Sequence, residues 1–220
     1  MQQTTHRIEE ISRRAAPAGR PQPLALYEGR LWFGSWETGH IYGMDPQRWS
    51  AAEDVAAPGT PYGLAPHNGA LHVVVSDGGE ADDRYLYRFV PGRGFLTESK
   101  TPCPQLTGSH LASDGKQLYL GQMHERRILR LDEGANPVEA FALPTRCAGF
   151  GFGAEGLLYM IAADEEFEEL TFGKLDLTAE PRFDPIARFP FGARALVFDG
   201  SAWYTCDREA GEIVAFRVAD

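Results

Sequence analysis

Long apolar runs are missing from this 220-residue chain, and no stretch approaches the ~20 residues that a helical membrane span needs. Cysteine is scarce. Cys103, Cys147 and Cys206 are odd in number and widely spaced, which excludes a disulfide framework, matches no zinc-ligand spacing and leaves three reduced thiols. Basic charge is in deficit: 21 lysines and arginines face 31 aspartates and glutamates, a formal net charge of −10. That balance argues against a nucleic-acid backbone or an anionic membrane surface as partner. Residues 1–10, Met-Gln-Gln-Thr-Thr-His-Arg-Ile-Glu-Glu, lack the apolar core of a signal peptide, so the expected compartment is the cytoplasm. Helical periodicity is almost absent as well, with one weak run near Arg7 to Arg14.

What the chain has instead is a repeat. Pro61-Tyr62-Gly63-Leu64-Ala65-Pro66 and Ala70-Leu71-His72-Val73-Val74-Val75 are apolar runs separated by Asn68-Gly69, a strong hairpin signal because both turn residues tolerate positive φ. Related stretches surround Gly29, Gly115, Gly156 and Gly200, so the turn glycines step along the chain by 40, 46, 41 and 44 residues. A strand-turn-strand period near forty is the signature of a propeller blade. Each hairpin is followed by a third alternating run (His40–Asp45, Tyr85–Phe89, Arg127–Leu131, Phe172–Asp176, Glu212–Phe216) and, in four repeats, by a run ending at Pro58, Pro102, Pro144 or Pro190. Proline there suits an outer strand, since it cannot donate to a ladder. The last repeat lacks its fourth strand, and residues 7–17 can supply it. The expected fold is therefore all-β, a single five-bladed β-propeller of four-stranded antiparallel blades spanning 1–220. Its blades run 18–58, 59–102, 103–144, 145–190 and 191–220 plus 6–17, and the N-terminal strand closes the ring.

In such a blade the loop entering the inner strand and the loop joining strands two and three share one face. The second-to-third loops carry thirteen of the 31 acidic residues, which marks that face as the working one. His110 heads the third inner strand, in a column otherwise filled by Pro23, Gly63, Gly149 and Ala195, so an imidazole stands at the channel rim among small or kinked residues. With carboxylates beside it, such a group can act as a general base near neutral pH. Asp77 and Asp207 directly follow second strands and are the expected catalytic partners, with His124 from the adjoining loop. Tyr62, Arg194, Trp36 and Asp164 are the expected substrate contacts, Arg194 for an anionic group or an oxyanion. His72 falls in a column with Trp32, Tyr119, Tyr159 and Trp203, which reads as packing between blades. A divalent cation among the carboxylates of the acidic loops is an option, its identity unspecified.

The segments Pro61-Tyr62-Gly63-Leu64, Gly29-Arg-Leu-Trp32-Phe33 followed by His40-Ile41, and Gly200-Ser-Ala-Trp203-Tyr204 followed by Glu212-Ile-Val resemble the repeats of the virginiamycin B lyase-like, SMP-30/gluconolactonase-like and NHL propeller families. The resemblance covers nearly the whole chain. It implies a small-molecule ligand at the channel mouth and lactone or ester chemistry, by hydrolysis or by elimination. By position, Asp77 and Asp207 match the aspartate that follows a second strand in the lactonase group. The first inner strand opens Gln22-Pro23-Leu24 and no strand head is asparagine, unlike that group's metal ligands. The competing expectation is a non-catalytic scaffold that docks a protein or peptide on its acidic face.

Overall fold

The computed structural model describes residues 6–45 and 47–219; Met1–Thr5, part of the stretch read above for a leader, Pro46 and Asp220 lie outside the described residues. The chain is all-β, with twenty strands among the described residues. After β1 (His6–Ala15), strands β2 (Pro21–Tyr27), β3 (Arg30–Ser35), β4 (His40–Asp45) and β5 (Ser50–Ala56) pair in sequence as one antiparallel sheet. Strands β6 (Thr60–His67), β7 (Ala70–Ser76), β8 (Arg84–Val90) and β9 (Gly94–Pro102) form a second. A third comprises β10 (His110–Ser113), β11 (Leu118–Gln122), β12 (Arg127–Leu131) and β13 (Pro137–Ala142). The remaining strands are β14 (Arg146–Phe152), β15 (Leu158–Ala163), β16 (Leu170–Asp176), β17 (Arg182–Phe189), β18 (Ala193–Phe198), β19 (Trp203–Asp207) and β20 (Glu212–Ala219). They make an eight-stranded sheet in the order β14-β15-β16-β17-β1-β20-β19-β18.

The join in that sheet comes from β1. It pairs antiparallel with β20 from Arg7↔Ala219 to Ala15↔Glu212, as expected for a closing strand, and also touches β17 in parallel at His6↔Ala187 and Arg7↔Arg188. The second contact was not legible in the repeat. Turn chemistry explains why the hairpins form where they do. Gly29, Gly69, Gly115, Gly156 and Gly200 all have positive φ, between 71° and 96°, and Asn68-Gly69 at 46° and 73° fits the two-residue turn that matches strand twist.

The first strands of the sheets pack on one another in a cycle: β2 on β6, β6 on β10, β10 on β14, β14 on β18, and β18 back on β2. Their apolar side chains, including Leu24, Leu64, Leu111, Phe150 and Leu196, leave only about 10 Å³ at the middle of the axis. That is barely room for one water. The axis is therefore plugged, and its two mouths are separate sites.

Close approach of backbones sets the width of this ring. A Cβ built on Gly149 would lie 2.7 Å from the Cα and N of Ala195 on the neighbouring inner strand. Gly149→Ala must push β14 and β18 apart, and overpacking of this kind costs about 1–3 kcal/mol. Urea titration is expected to show that loss, while Gly192→Ala, where no atom lies within 4 Å of the new methyl, stays near wild type.

Candidate functional site

One mouth of the axis is built from the heads of the inner strands and the second-to-third loops, as the repeat predicts. The inner strands bulge there: register slips occur between Pro21 and Leu24, Pro61 and Gly63, Cys147 and Gly149, and Arg194 and Val197. A bulge adds a residue on one strand and re-aims side chains. Tyr62 is such an extra residue, and Gln22 lies within another slip. β10 has no slip, and His110 opens it opposite Gly121.

These elements enclose a cavity of about 140 Å³. Trp36, Tyr62, Phe167 and Met123 supply its apolar walls, and Gln22, Ser109, His110, Arg194 and Arg208 supply its polar groups. The Trp36 indole N–H donates to the Pro61 carbonyl at 2.8 Å, which holds the ring against Tyr62 with centroids 4.4 Å apart. Guanidiniums occupy the aromatic faces: Arg208 at 4.8 Å and Arg20 at 5.7 Å from the Trp36 centroid, Arg84 at 3.4 Å from Tyr62, and Arg194 at 5.0 Å from Phe167.

The electrostatics are the reverse of the acidic mouth that loop composition predicts. No aspartate or glutamate lines the cavity among the described residues, whereas two arginines do. Arg194 is 9% exposed and donates to its neighbour's carbonyl, that of Ala193, at 2.8 Å. Burial, then the charge of Arg208, pushes its ionisation down to about 10. Arg208 makes only long contacts, 3.4 Å to the Gln22 side chain and 3.4 Å to the exposed Glu209. His110 is 4% exposed, and burial, followed by the charges of Arg194 and Arg208, pushes its pKa down to about 3. It is a neutral imidazole beside two cations, with no flanking carboxylate to fix its tautomer.

Several carboxylates of that face are engaged elsewhere. Asp207, 6% exposed, turns outward to Arg13 of β1 at 2.8 Å and accepts the Ala210 N–H. Asp77 is exposed and accepts the Gly79 N–H within its own loop. Asp164 accepts the Glu169 N–H, Glu165 pairs with Arg126 and Arg146, and Glu169 pairs with Arg188. His124 is exposed on the turn after β11. The cavity thus gathers His110, Tyr62, Arg194 and Trp36, and leaves Asp77, Asp207, His124 and Asp164 outside it. Nor do three or more histidine, cysteine or acidic side chains converge as a metal site among the described residues. The ligand set implied by the lactonase resemblance does not assemble, because Asp207 is committed to Arg13 and Asp77 to its loop.

Gln22, Ser109, Met123, Phe167 and Arg208 escaped the sequence reading. Phe167 had a signal: it is the one apolar residue inside the run Asp164–Glu169. Its φ of +60° marks a sharp local bend in that loop.

No known family profile matches the chain, and no curated protein is detectably similar to it in sequence. Solved structures do resemble it. Glutaminyl cyclase of Myxococcus xanthus superposes with a TM-score of 0.72 at 13% identity, covering 98% of each chain. An inactive variant of virginiamycin B lyase from Staphylococcus aureus, with quinupristin, gives 0.57 at 12% identity over 97% of this chain and all of that one. The PQQ-bound aldose sugar dehydrogenase of Streptomyces coelicolor gives 0.59 at 13% identity over the full length of both. At such identities the likeness establishes the fold: this chain is built like the propellers of the virginiamycin B lyase group.

Proposed function

We propose that the chain is a five-bladed propeller whose channel mouth binds a small organic molecule through a carbonyl or carboxylate oxygen held by Arg194 and Arg208. The blades are β2–β5, β6–β9, β10–β13, β14–β17, and β18–β20 completed by β1. One observation carries the functional reading: two guanidiniums and a neutral imidazole meet in one aromatic-walled cavity with no carboxylate in its lining. The net charge is −10, yet the lining of this hollow is cationic, so attraction for an anion or a developing oxyanion is a local property of that mouth.

The reaction class that fits is lactone or ester opening, by hydrolysis or elimination. Arg194 and Arg208 stabilise the carbonyl oxygen as charge develops on it, and His110 takes the proton from water or from the carbon beside the carbonyl. An imidazole held near pKa 3 is unprotonated at neutral pH. Negative charge forming on the neighbouring oxygen offsets the two guanidiniums and raises its basicity as the reaction proceeds. The concave, cationic mouth favours this reading over docking of a protein on an acidic rim.

A panel of lactones and esters tests it. His110→Asn is expected to lower kcat/KM by ~10²–10⁴-fold, and Arg194→Gln by ~10²–10³-fold. Turnover that survives both substitutions unchanged would exclude this mouth as the reaction site.

A further inference from the structure

The geometry points to a single-ring organic carboxylate as the ligand of this mouth, its carboxylate on Arg194 and Arg208 and its ring among Trp36, Tyr62 and Phe167. The inference rests on the mouth being the ligand site and adds the chemical class. Size comes first. The cavity holds about 140 Å³, close to the ~150 Å³ of an engineered apolar cavity that takes benzene. Its sheltered part fits one ring, and any larger body would have to project through the open mouth.

Charge comes second. Aromatic walls could also serve a cationic ligand, since ring faces attract ammonium groups. Here that role is taken: guanidiniums already lie over Trp36, Tyr62 and Phe167. A cationic ligand would meet the Arg194 and Arg208 charges directly, the nearest carboxylates, Glu209 and Asp207, lying outside the lining, whereas an anion relieves the repulsion between the two arginines.

Shape comes third. A guanidinium is a planar fork that matches a planar carboxylate by two parallel N–H donations. Arg208 makes no close hydrogen bond: its two polar contacts are both 3.4 Å long, so it can turn its fork to a ligand while its guanidinium stays over Trp36. Trp36, Tyr62, Met123 and Phe167 give the rest of the lining a largely apolar character, broken by Gln22, Ser109 and His110, which suits a ring better than a heavily hydrated inorganic anion.

Calorimetric titration of the intact protein with benzoate, methyl benzoate, acetate, inorganic phosphate and benzyltrimethylammonium tests the class. Benzoate is expected to bind at one site at least tenfold more tightly than each of the others. In Arg208→Gln it should weaken at least tenfold, with the circular dichroism spectrum unchanged, and Arg208→Lys should recover part of the loss. Methyl benzoate binding as well as benzoate would overturn the role of the charge, and acetate binding as well would overturn the role of the ring. Phosphate binding equally tightly would replace the carboxylate with a general anion site. If none of these compounds binds while lactones are turned over in a His110-dependent way, the ligand class fails and the broader reading stands. If the lactone panel is inert as well, the mouth is not the site and both fail.

Discussion

Acidification from pH 6.5 to pH 4 is expected to strip this protein of a large part of its stability, much of it before its carboxylates titrate below about pH 5. Two histidines are the cause. Burial and the charges of Arg194 and Arg208 push His110 down to about 3, and burial, with the charges of His67 and Arg88, pushes His72 down to about 4. Both ring nitrogens of His72 are buried without a hydrogen-bond partner of good geometry, and the weak support that the His67 backbone gives the charged form is outweighed by burial. In the unfolded chain each imidazole takes a proton near pH 6.5. The unfolded state therefore binds more protons than the native state between about pH 6.5 and pH 4, and stability falls as pH falls through that window. At ~1.4 kcal/mol per pH unit, each histidine withdraws about 3 kcal/mol by pH 4. Together that is comparable with the ~5–15 kcal/mol that holds a typical domain folded. Asp45, Asp114, Asp132 and Asp199, all held below their ordinary values by hydrogen bonds, add their own loss from about pH 5 downward. Thermal melts across the range check this. His72→Tyr, which restores the residue type found at Tyr119 and Tyr159, should flatten the slope between pH 6.5 and 4, and His110→Gln should do so independently. Wild-type slopes in both variants would refute the assignment.

The two histidines also mark where sequence reasoning succeeds and where it stops. The turn glycines were legible because left-handed φ is a local demand that one residue meets, and the third strands because their inward faces alternate. Outer strands were placed less well. β5 begins at Ser50 and β17 at Arg182, several residues before the runs expected at 54–58 and 186–190, because solvated strands such as β5 show little apolar alternation. Register was misread in one repeat. Trp203 pairs with Phe198 and Phe216, and Tyr204 pairs with Val197 and Ala215, so Tyr204 is the residue that matches Trp32 against Ala25 and Gly43. Trp203 instead packs on Tyr159 of β15 and Phe172 of β16. At the mouth, strand-head position identified His110, Tyr62 and Arg194, since the head of an inner strand must face the axis. Charge composition misled, because a count of loop carboxylates cannot see their partners: Asp207 is held by Arg13, 194 positions away in sequence.

That same pair makes removal of the N-terminal strand the most damaging change expected of the scaffold. A chain lacking the residues up to Ala15 loses the ladder from Arg7 to Ala15 along β20 and the short contact with β17, leaving β20 as an open edge. It also strips Arg13 from Asp207 and Glu212, which it binds at 2.8 and 2.7 Å. Asp207 has a side chain only 9% exposed, so its charge would remain in a confined site with its cation gone. Breaking a buried pair in this way costs ~3–5 kcal/mol, and the lost strand adds to it. The truncated chain is therefore expected to aggregate or to lose its cooperative melt, while Arg13→Ala in the full chain shows the ion-pair part alone, a loss of about 2–3 kcal/mol for a guanidinium that is 28% exposed. Adding a peptide of residues 6–17 in trans should restore the melt if pairing with β20 is what the strand supplies. A truncated chain that stays monomeric and melts at the wild-type temperature would show that the ring holds without its closing strand. The effect should reach the mouth as well. Arg194 and Arg208 flank the Asp207 end of β19, so release of Asp207 places a free carboxylate beside the two guanidiniums, and anion binding should weaken in Arg13→Ala even where the fold survives.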